Sequence, residues 1–448
     1  MMFVSVLIAL LTIMAAGFGA SCLLFKRGEA VPAVEALPLA WLLGTAFISL
    51  SLACMGTVAS GLVLQGIVAG GCAILGVAGV RAWREKRLQI SFPKPAGPLE
   101  WMLCLVLLVE FAMVIRLQYR EGLGWDGILL WEIKARYAFL NGGVIPKAYF
   151  MDETRVWSQP SYPLLFPLTE TWLYLWMGDC NQNWVRVIFP VFYGAAALLL
   201  CAGVRRLTGK RWAGLATAAM LFTLPGIWNF LSGYVDFPLA VFYLAAVIYF
   251  LRHQRGNAPS SHLVFFSILA GLLPWVKREG AILWFCLMVI AGCEFLRRRE
   301  FRRALIIPLP GVLILAGWKI AMLIVKTPPY LDFLRPTLGA AWGNRDRLGP
   351  VFATMARYLV ETGFWGLLWV AFPAALVFLA VRSQRKMSAF LFLTVALPLG
   401  IDGCLYLLSA EPSYVTHIQT SLQRLIMDVS LSGLLTVALA AAGDAQGE

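Results

Sequence analysis

Charged residues are scarce in this chain of 448 residues: they make up 14% of it, against 60% hydrophobic residues. A soluble domain carries about a quarter charged residues, so this composition excludes an ordinary soluble protein. Long polar stretches are also lacking, and the polar segments are loops between apolar runs. Together these absences indicate a polytopic integral membrane protein.

Spacings typical of metal sites are missing as well. Nine cysteines are present, but no CxxC pair occurs, and only Cys180 clearly lies in a loop rather than in or beside an apolar run. A cysteine in such a run most often serves as a small apolar residue. We therefore expect neither a metal nor a cofactor.

Apolar runs recur along the whole chain, and a helix of roughly 20 such residues spans a bilayer with its backbone groups hydrogen-bonded internally. The first run has no basic residue before it, which is unlike a cleavable signal peptide, so we expect a retained span with its N-terminus outside. The candidate segments lie at about 1–25, 38–58, 61–80, 99–117, 162–178, 184–204, 212–231, 236–251, 263–276, 280–296, 304–325, 354–381, 388–408 and 424–442.

The net charge of +13 is concentrated in short basic clusters beside apolar runs. This is the positive-inside pattern of membrane proteins rather than a nucleic-acid-binding surface, so we expect no nucleic acid partner. The clusters are Arg81/Arg84/Lys86/Arg87, Arg205/Arg206/Lys210/Arg211, Arg252/His253/Arg255, Arg297–Arg299 with Arg302/Arg303, and Arg382/Arg385/Lys386. All of them can be cytoplasmic only if 162–178, which contains two prolines and Glu170, does not cross.

The predicted fold is an all-α helical bundle of about 13 spans plus one partial or re-entrant segment at 162–178. The predicted external loops include 118–161, 326–353 and 409–423. Within the first, ILLWEIKARYAFLNGG has helical spacing and a Gly-Gly stop, which predicts an amphipathic helix at the membrane interface.

Two aspartates follow or precede apolar runs at the predicted outer surface. Asp126 directly follows a span, where it serves either as a helix cap or as a general base acting on a polar acceptor. Asp236 stands at the start of a span with Pro238 in its first turn, and the same capping alternative applies to it.

Cations at the same surface break the positive-inside pattern. Lys277, Arg278 and Glu279 form a turn that is either an ordinary charged turn or a binding site for an anionic lipid phosphate. Arg424 opens the last span with His417 nearby, and it either extends to the interface or forms part of a site. Further charged residues fall within apolar runs, without an assigned role: Glu110, Lys319, Glu361 and Asp402.

The ordered set of features over about 99–300, and more weakly to 430, resembles the GT-C superfamily of glycosyltransferases that use polyprenyl-phosphate sugars. The most similar branch contains the aminoarabinose transferases, protein O-mannosyltransferases and Rgt-like lipopolysaccharide glycosyltransferases. The features are Asp126 opening the first external loop, the helix WEIKARYAFLNGG, the segment SYPLLFP, a span ending RRLTGKR, the Asp236-x-Pro238 element and the Lys277-x-Glu279-Gly280 turn.

This resemblance implies that Asp126 is the catalytic base, Asp236 a second catalytic carboxylate, and Lys277 and Arg424 the donor-phosphate ligands. The family often has a second acid directly after the first, where this chain has Gly127. Either Glu132 supplies that carboxylate or the acceptor differs. The other expected substrate-binding residues are Lys134, Tyr162, Arg278, Glu279 and His417. The resemblance also implies three domains: added spans at 1–80, a catalytic core at 99–300, and C-terminal spans at 301–448 that complete the donor site.

The expected reaction is transfer of a sugar from a polyprenyl-phosphate donor to a glycan, lipid or protein acceptor, with inversion at the anomeric carbon and without a metal. The resemblance places the enzyme in a bacterial inner membrane with its site facing the periplasm or exterior. A transporter or flippase of lipid-linked glycans is the main alternative, although no repeat symmetry is evident. A non-catalytic assembly partner and an oligosaccharide ligase or polymerase also remain open.

Overall fold

The computed structural model describes residues 2–91, 94–255, 259–328, 337–382, 384–410 and 413–443. Parts of the predicted loops 326–353 and 409–423 therefore lie outside the described residues. Helices dominate the part that is described. The first half of the chain forms α1 (Met2–Leu24), α2 (Ala33–Met55), α3 (Gly61–Lys86), α4 (Pro98–Glu121), α5 (Ile133–Leu140), α6 (Lys147–Met151), α7 (Leu165–Met177), α8 (Gln182–Val185), α9 (Ile188–Thr208), α10 (Arg211–Ala219) and α11 (Pro225–Phe230).

Two short strands, β1 (Ala30–Pro32) and β2 (Gln89–Ser91), also lie in the first half and pair in parallel. They are the only strands in the described residues. The second half of the chain is again helical. Its helices are α12 (Asp236–Gln254), α13 (Ser260–Val276), α14 (Gly280–Arg297), α15 (Phe301–Ile306), α16 (Leu309–Val325), α17 (Leu338–Gly343), α18 (Leu348–Leu359), α19 (Thr362–Trp365), α20 (Leu368–Val381), α21 (Arg385–Leu405) and α22 (Tyr414–Ala442).

Ten helical segments in the described residues are long and apolar enough to cross a membrane, and α13 and α20 are shorter apolar helices. The prediction of an all-α polytopic membrane protein is therefore confirmed. The ten segments are Met2–Leu24, Ala33–Met55, Gly61–Lys86, Pro98–Glu121, Gln182–Thr208, Asp236–Gln254, Gly280–Arg297, Phe301–Val325, Arg385–Leu408 and Tyr414–Ala442.

Three apolar runs that the sequence analysis treated as continuous are interrupted. The run 212–231 divides into α10, a 3-10 turn and α11, which begins at Pro225. The run 304–325 breaks at Pro308, and 354–381 separates into the end of α18, the short α19, and α20. Proline explains the first two breaks, because it lacks the backbone N–H that continues a helix.

Helix α12 lies at the centre of the bundle. Every residue from Asp236 to Leu251 is buried, and the helix packs against α9, α13 and α22. A helix that is apolar on all sides is typically surrounded by other helices, and the sequence of α12 has this all-round apolar pattern. The N-terminal helices join the same bundle, since α2 packs on α7 and α9.

The bundle has two distinguishable ends. At one, called here the basic end, Lys86 donates to the carbonyl of Phe25, Arg206 pairs with Glu35 at 3.4 Å, and Lys210 donates to the carbonyl of Ala442. The basic clusters that follow α3, α9, α12, α14 and α20 all lie at this end. The opposite end, called here the site end, carries the start of α12.

Helix α7 does not extend from one end to the other. Its 13 residues rise about 20 Å, less than the roughly 30 Å of a hydrocarbon core. Both flanks lie at the site end, where Tyr162 contacts Glu279 and Asn181 contacts the sulfur of Met2. The segment is buried against α1, α2 and α5.

The predicted amphipathic helix is present, but of its three charged residues only Arg136 is partly exposed, and Glu132 and Lys134 are buried. It begins as a π-helix at Gly127–Glu132, continues as α5 and ends before Gly142 and Gly143, which have positive φ. Glu132 and Lys134 lie on its buried face, beside α7. The amphipathic pattern alone did not anticipate this burial, because the polar partners of these two side chains come from other segments of the chain.

Candidate functional site

The start of α12 and the turn after α13 meet in a buried ion pair. The Nζ of Lys277 lies 2.6 Å from Oδ1 of Asp236, and both side chains are at most 1% exposed. Asp236 is the first residue of α12, and Val235 is the N-cap. Asp236 therefore pairs with a cation instead of capping its helix. Removing the charges of two groups from water is costly unless each has a partner, so this pair is tightly constrained.

Arg424, almost three turns into α22, bridges two carboxylates. One of its terminal nitrogens lies 2.6 Å from Oδ2 of Asp126, and its Nε lies 3.4 Å from both carboxylate oxygens of Asp236. Its side chain is 21% exposed. Arg424 does not simply extend to the interface, because its planar guanidinium links two acidic groups from different elements.

Asp126 faces Arg424 and makes no capping hydrogen bond to the helix that follows it. Its backbone is already helical, with φ −64° and ψ −36°, whereas a capping residue is usually extended. Burial raises the pKa of Asp126, and the guanidinium of Arg424 offsets part of that rise. Asp126 is thus a better proton acceptor than an ordinary aspartate once it is ionised.

The turn between α13 and α14 is not an ordinary exposed turn, because Lys277 is buried and Arg278 and Glu279 are only partly exposed. Lys277 lies 3.6 Å from Glu279, and the hydroxyl of Tyr162 donates to Glu279 at 3.3 Å. The guanidinium of Arg278 lies over the ring of Tyr162, 5.0 Å from its centroid. Burial favours a higher pKa for Glu279, but Lys277, Arg278 and Arg424 together lower it below its usual value.

These groups border a cavity of about 580 Å³. Its lining combines polar and charged side chains with aliphatic side chains from α14, α21 and α22. Trp125 and Trp157 stand at the rim and are 73% and 47% exposed. Other lining residues are Asp126, Leu130, Gln159, Tyr162, Lys277, Arg278, Glu279, Ala281, Ile282, Asp402, Leu405, Tyr406, His417, Thr420, Ser421, Arg424 and Leu425.

Glu132 and Lys134, expected to bind substrate, do not line this cavity. Glu132 accepts a hydrogen bond from Tyr174 at 2.7 Å and pairs with Arg136. Lys134 donates to the carbonyl oxygens of Leu130 and Ser158, and burial lowers its pKa to about 7. Both side chains lie behind the cavity wall, where they hold α5 against α7 and the loop at Ser158.

His417 does line the cavity, and its ring is held in place from behind. Its Nδ1 lies 2.8 Å from the hydroxyl of Ser409, and its ring meets Tyr406 edge-on at 5.3 Å. Tyr406 in turn lies 2.7 Å from the hydroxyl of Ser421. This polar group extends the cavity wall away from Arg424 along α22.

Several lining residues have no role predicted from the sequence, among them Gln159, Asp402, Thr420 and Ser421. A usable signal existed for those on α22, because His417, Thr420, Ser421 and Arg424 recur at the i, i+3, i+4, i+7 spacing of one helix face. No comparable pattern indicates Gln159, which reaches the cavity from an irregular loop.

The described residues contain no group of three or more His, Cys, Asp or Glu side chains arranged to hold a metal ion. No protein-family model matches the chain, and no curated protein or solved structure matches it. Inferences about function therefore rest on the cavity and its side chains.

Proposed function

We propose that this protein is a GT-C-like membrane glycosyltransferase that transfers a sugar from polyprenyl phosphate to an acceptor at the site end of the bundle. The observation that carries the proposal is the meeting of Asp126, Asp236, Lys277 and Arg424 around one cavity. These residues come from four separate parts of the chain. Structural ion pairs alone would not require a cavity beside them.

The composition of the cavity supports a lipid-linked donor. Lys277 and Arg424 supply positive charge for a phosphate, in a buried environment where charge–charge interactions are strong. Ile282, Leu405 and Leu425 provide an apolar wall for the first part of a prenyl chain. Exposed tryptophans at the rim are typical of a membrane–water boundary.

Asp126 is the better of the two aspartates for the role of base. It lines the cavity, whereas Asp236 is fully buried between Lys277 and Arg424. Asp236 holds the two cations at a fixed separation. A general base must reach the proton that it abstracts, which favours the carboxylate at the cavity wall.

In the proposed reaction, Asp126 accepts the proton of the incoming hydroxyl as that oxygen bonds to the anomeric carbon. The attack comes from the face opposite the phosphate. The bond from the anomeric carbon to the phosphate oxygen breaks, and its electron pair leaves on the phosphate. Lys277 and Arg424 stabilise this charge, and the anomeric configuration is inverted.

We infer the orientation from the basic end, whose clusters the positive-inside rule assigns to the cytoplasm. With α10 and α11 counted as one interrupted crossing and α7 as the partial segment, we propose a topology of about 13 spans. The site then opens on the periplasmic or external side of a bacterial inner membrane. The sugar acceptor is a glycan, lipid or protein on that side.

Transfer of radiolabelled sugar from polyprenyl phosphate to membrane acceptors tests this proposal with purified protein. Asp126→Asn preserves size but cannot accept the proton, so we expect a loss of about 10²–10⁴-fold in rate. Asp179→Asn, in an exposed turn outside the cavity, is the matched control and should transfer sugar normally. Near-normal transfer by Asp126→Asn would remove Asp126 as the base, and no transfer by the wild-type protein would refute the proposal.

A further inference from the structure

A second cavity, of about 450 Å³, shares no lining residue with the candidate site. It forms a groove between α4 and α9 with α10 at one end, and apolar side chains such as Leu108, Phe111 and Ala197 line its length. Leu108 is 65% exposed on the outer face of α4. The groove therefore opens at the bundle surface and not toward the candidate site.

The groove has a charged end at the basic end of the bundle. Arg205 and Arg211 line it there together with Glu100. Arg211 lies 3.6 Å from Glu100 and donates to the carbonyl of Lys94. Among the described residues, Arg205 has no ion-pair or hydrogen-bond partner for its guanidinium. The end of the groove thus carries an excess of positive charge.

The dimensions of the groove match one leaflet of a bilayer. It runs along α9 from Gly194 to Arg205, which at 1.5 Å per residue is about 16 Å. Half of a hydrocarbon core of roughly 30 Å is close to this length. An acyl chain lying beside Ala197 and Phe111 would therefore place its headgroup at the level of Arg205.

We propose that this groove binds one anionic phospholipid from the leaflet at the basic end. The phosphate lies between Arg205 and Arg211, and an acyl chain follows the groove toward Gly194. Charge complementarity selects the anionic headgroup, and the apolar walls require an attached chain. This site is separate from the proposed sugar-donor site and does not depend on it.

Native mass spectrometry of the purified full-length protein can test the site, with phosphatidylglycerol and phosphatidylcholine titrated separately. We expect one phosphatidylglycerol to bind more tightly than the rest, and more tightly than phosphatidylcholine. The double variant Arg205→Gln/Arg211→Gln should bind it about thirtyfold more weakly, the effect expected of two basic residues near a lipid headgroup. Arg205→Lys, which keeps the charge, should retain most of the binding.

Two further variants separate the groove from general surface charge. Ala197→Phe leaves both arginines in place but fills the groove, so it should abolish the tight phosphatidylglycerol site. Arg298→Gln/Arg302→Gln removes the same charge elsewhere at the basic end and should leave that site unchanged. Equal weakening by this control, equal binding of phosphatidylcholine, or unchanged binding by Ala197→Phe would each overturn the proposal. Elution as a single monodisperse species, required of every variant, excludes misfolding as the cause.

Discussion

Arg424 lies 2.6 Å from Asp126 and also contacts Asp236, so one guanidinium near the start of the last helix links two carboxylates from earlier parts of the chain. This arrangement holds the proposed base next to the proposed phosphate site before any donor binds. A donor phosphate would compete with Asp126 for Arg424, and its arrival would free the carboxylate for proton transfer.

Replacing Arg424 tests its link between the two carboxylates. Arg424→Gln leaves Asp126 without its nearest cation, and breaking a buried ion pair from one side costs about 3–5 kcal/mol. We expect a lower melting temperature and no sugar transfer. Arg424→Lys keeps the charge but cannot bridge both carboxylates, so it should recover stability better than activity.

The double variant Arg424→Gln/Asp126→Asn separates the two effects. It removes the uncompensated carboxylate, so it should regain part of the melting temperature that Arg424→Gln loses, while transfer stays absent. A double variant no more stable than Arg424→Gln would show that Asp126 and Arg424 are not energetically coupled.

Lys277 is expected to contribute to both stability and donor binding. Lys277→Met leaves Asp236 buried with only the longer contact to Arg424, so stability should fall. Adding Asp236→Asn should restore stability without restoring donor affinity, measured by binding of labelled polyprenyl-phosphate sugar. Normal donor affinity in Lys277→Met would contradict the role of Lys277 at the phosphate.

The pH dependence of transfer should report Asp126. Burial raises the pKa of this carboxyl, and only its ionised form can accept a proton. We therefore expect kcat/KM to fall as pH decreases through a pKa above the usual aspartate value of about 3.9. In Asp126→Asn the residual rate should lose this acidic limb. An identical limb in that variant would assign the titration to another group.

The orientation proposed for the bundle predicts from which side of the membrane a reagent can reach each end. In a cysteine-free background, Glu153→Cys at the site end should react with an impermeant maleimide added outside sealed right-side-out vesicles. Arg302→Cys at the basic end should react only after the vesicles are opened. Reaction of Arg302→Cys from outside would invert the topology and refute a periplasmic site.

Much of the fold follows from the sequence, because lipid requires long apolar helices and these stand out in composition alone. The interruptions were harder to anticipate. Pro308 and Pro225 are visible in the sequence, yet a proline inside an apolar run either bends or breaks a helix, and packing decides between the two. The span count near 13 stays a prediction.

The sequence alone also named the four residues at the centre of the site, since charged side chains beside apolar runs need a reason to be there. It could not choose between helix capping and a role in the site for Asp126 and Asp236. That choice depends on Arg424 and Lys277, which approach only when α22 and α13 pack against α12. Likewise, tertiary packing buried Glu132 and Lys134 behind the cavity wall, because α7 and the loop at Ser158 supply the polar partners that water would otherwise provide.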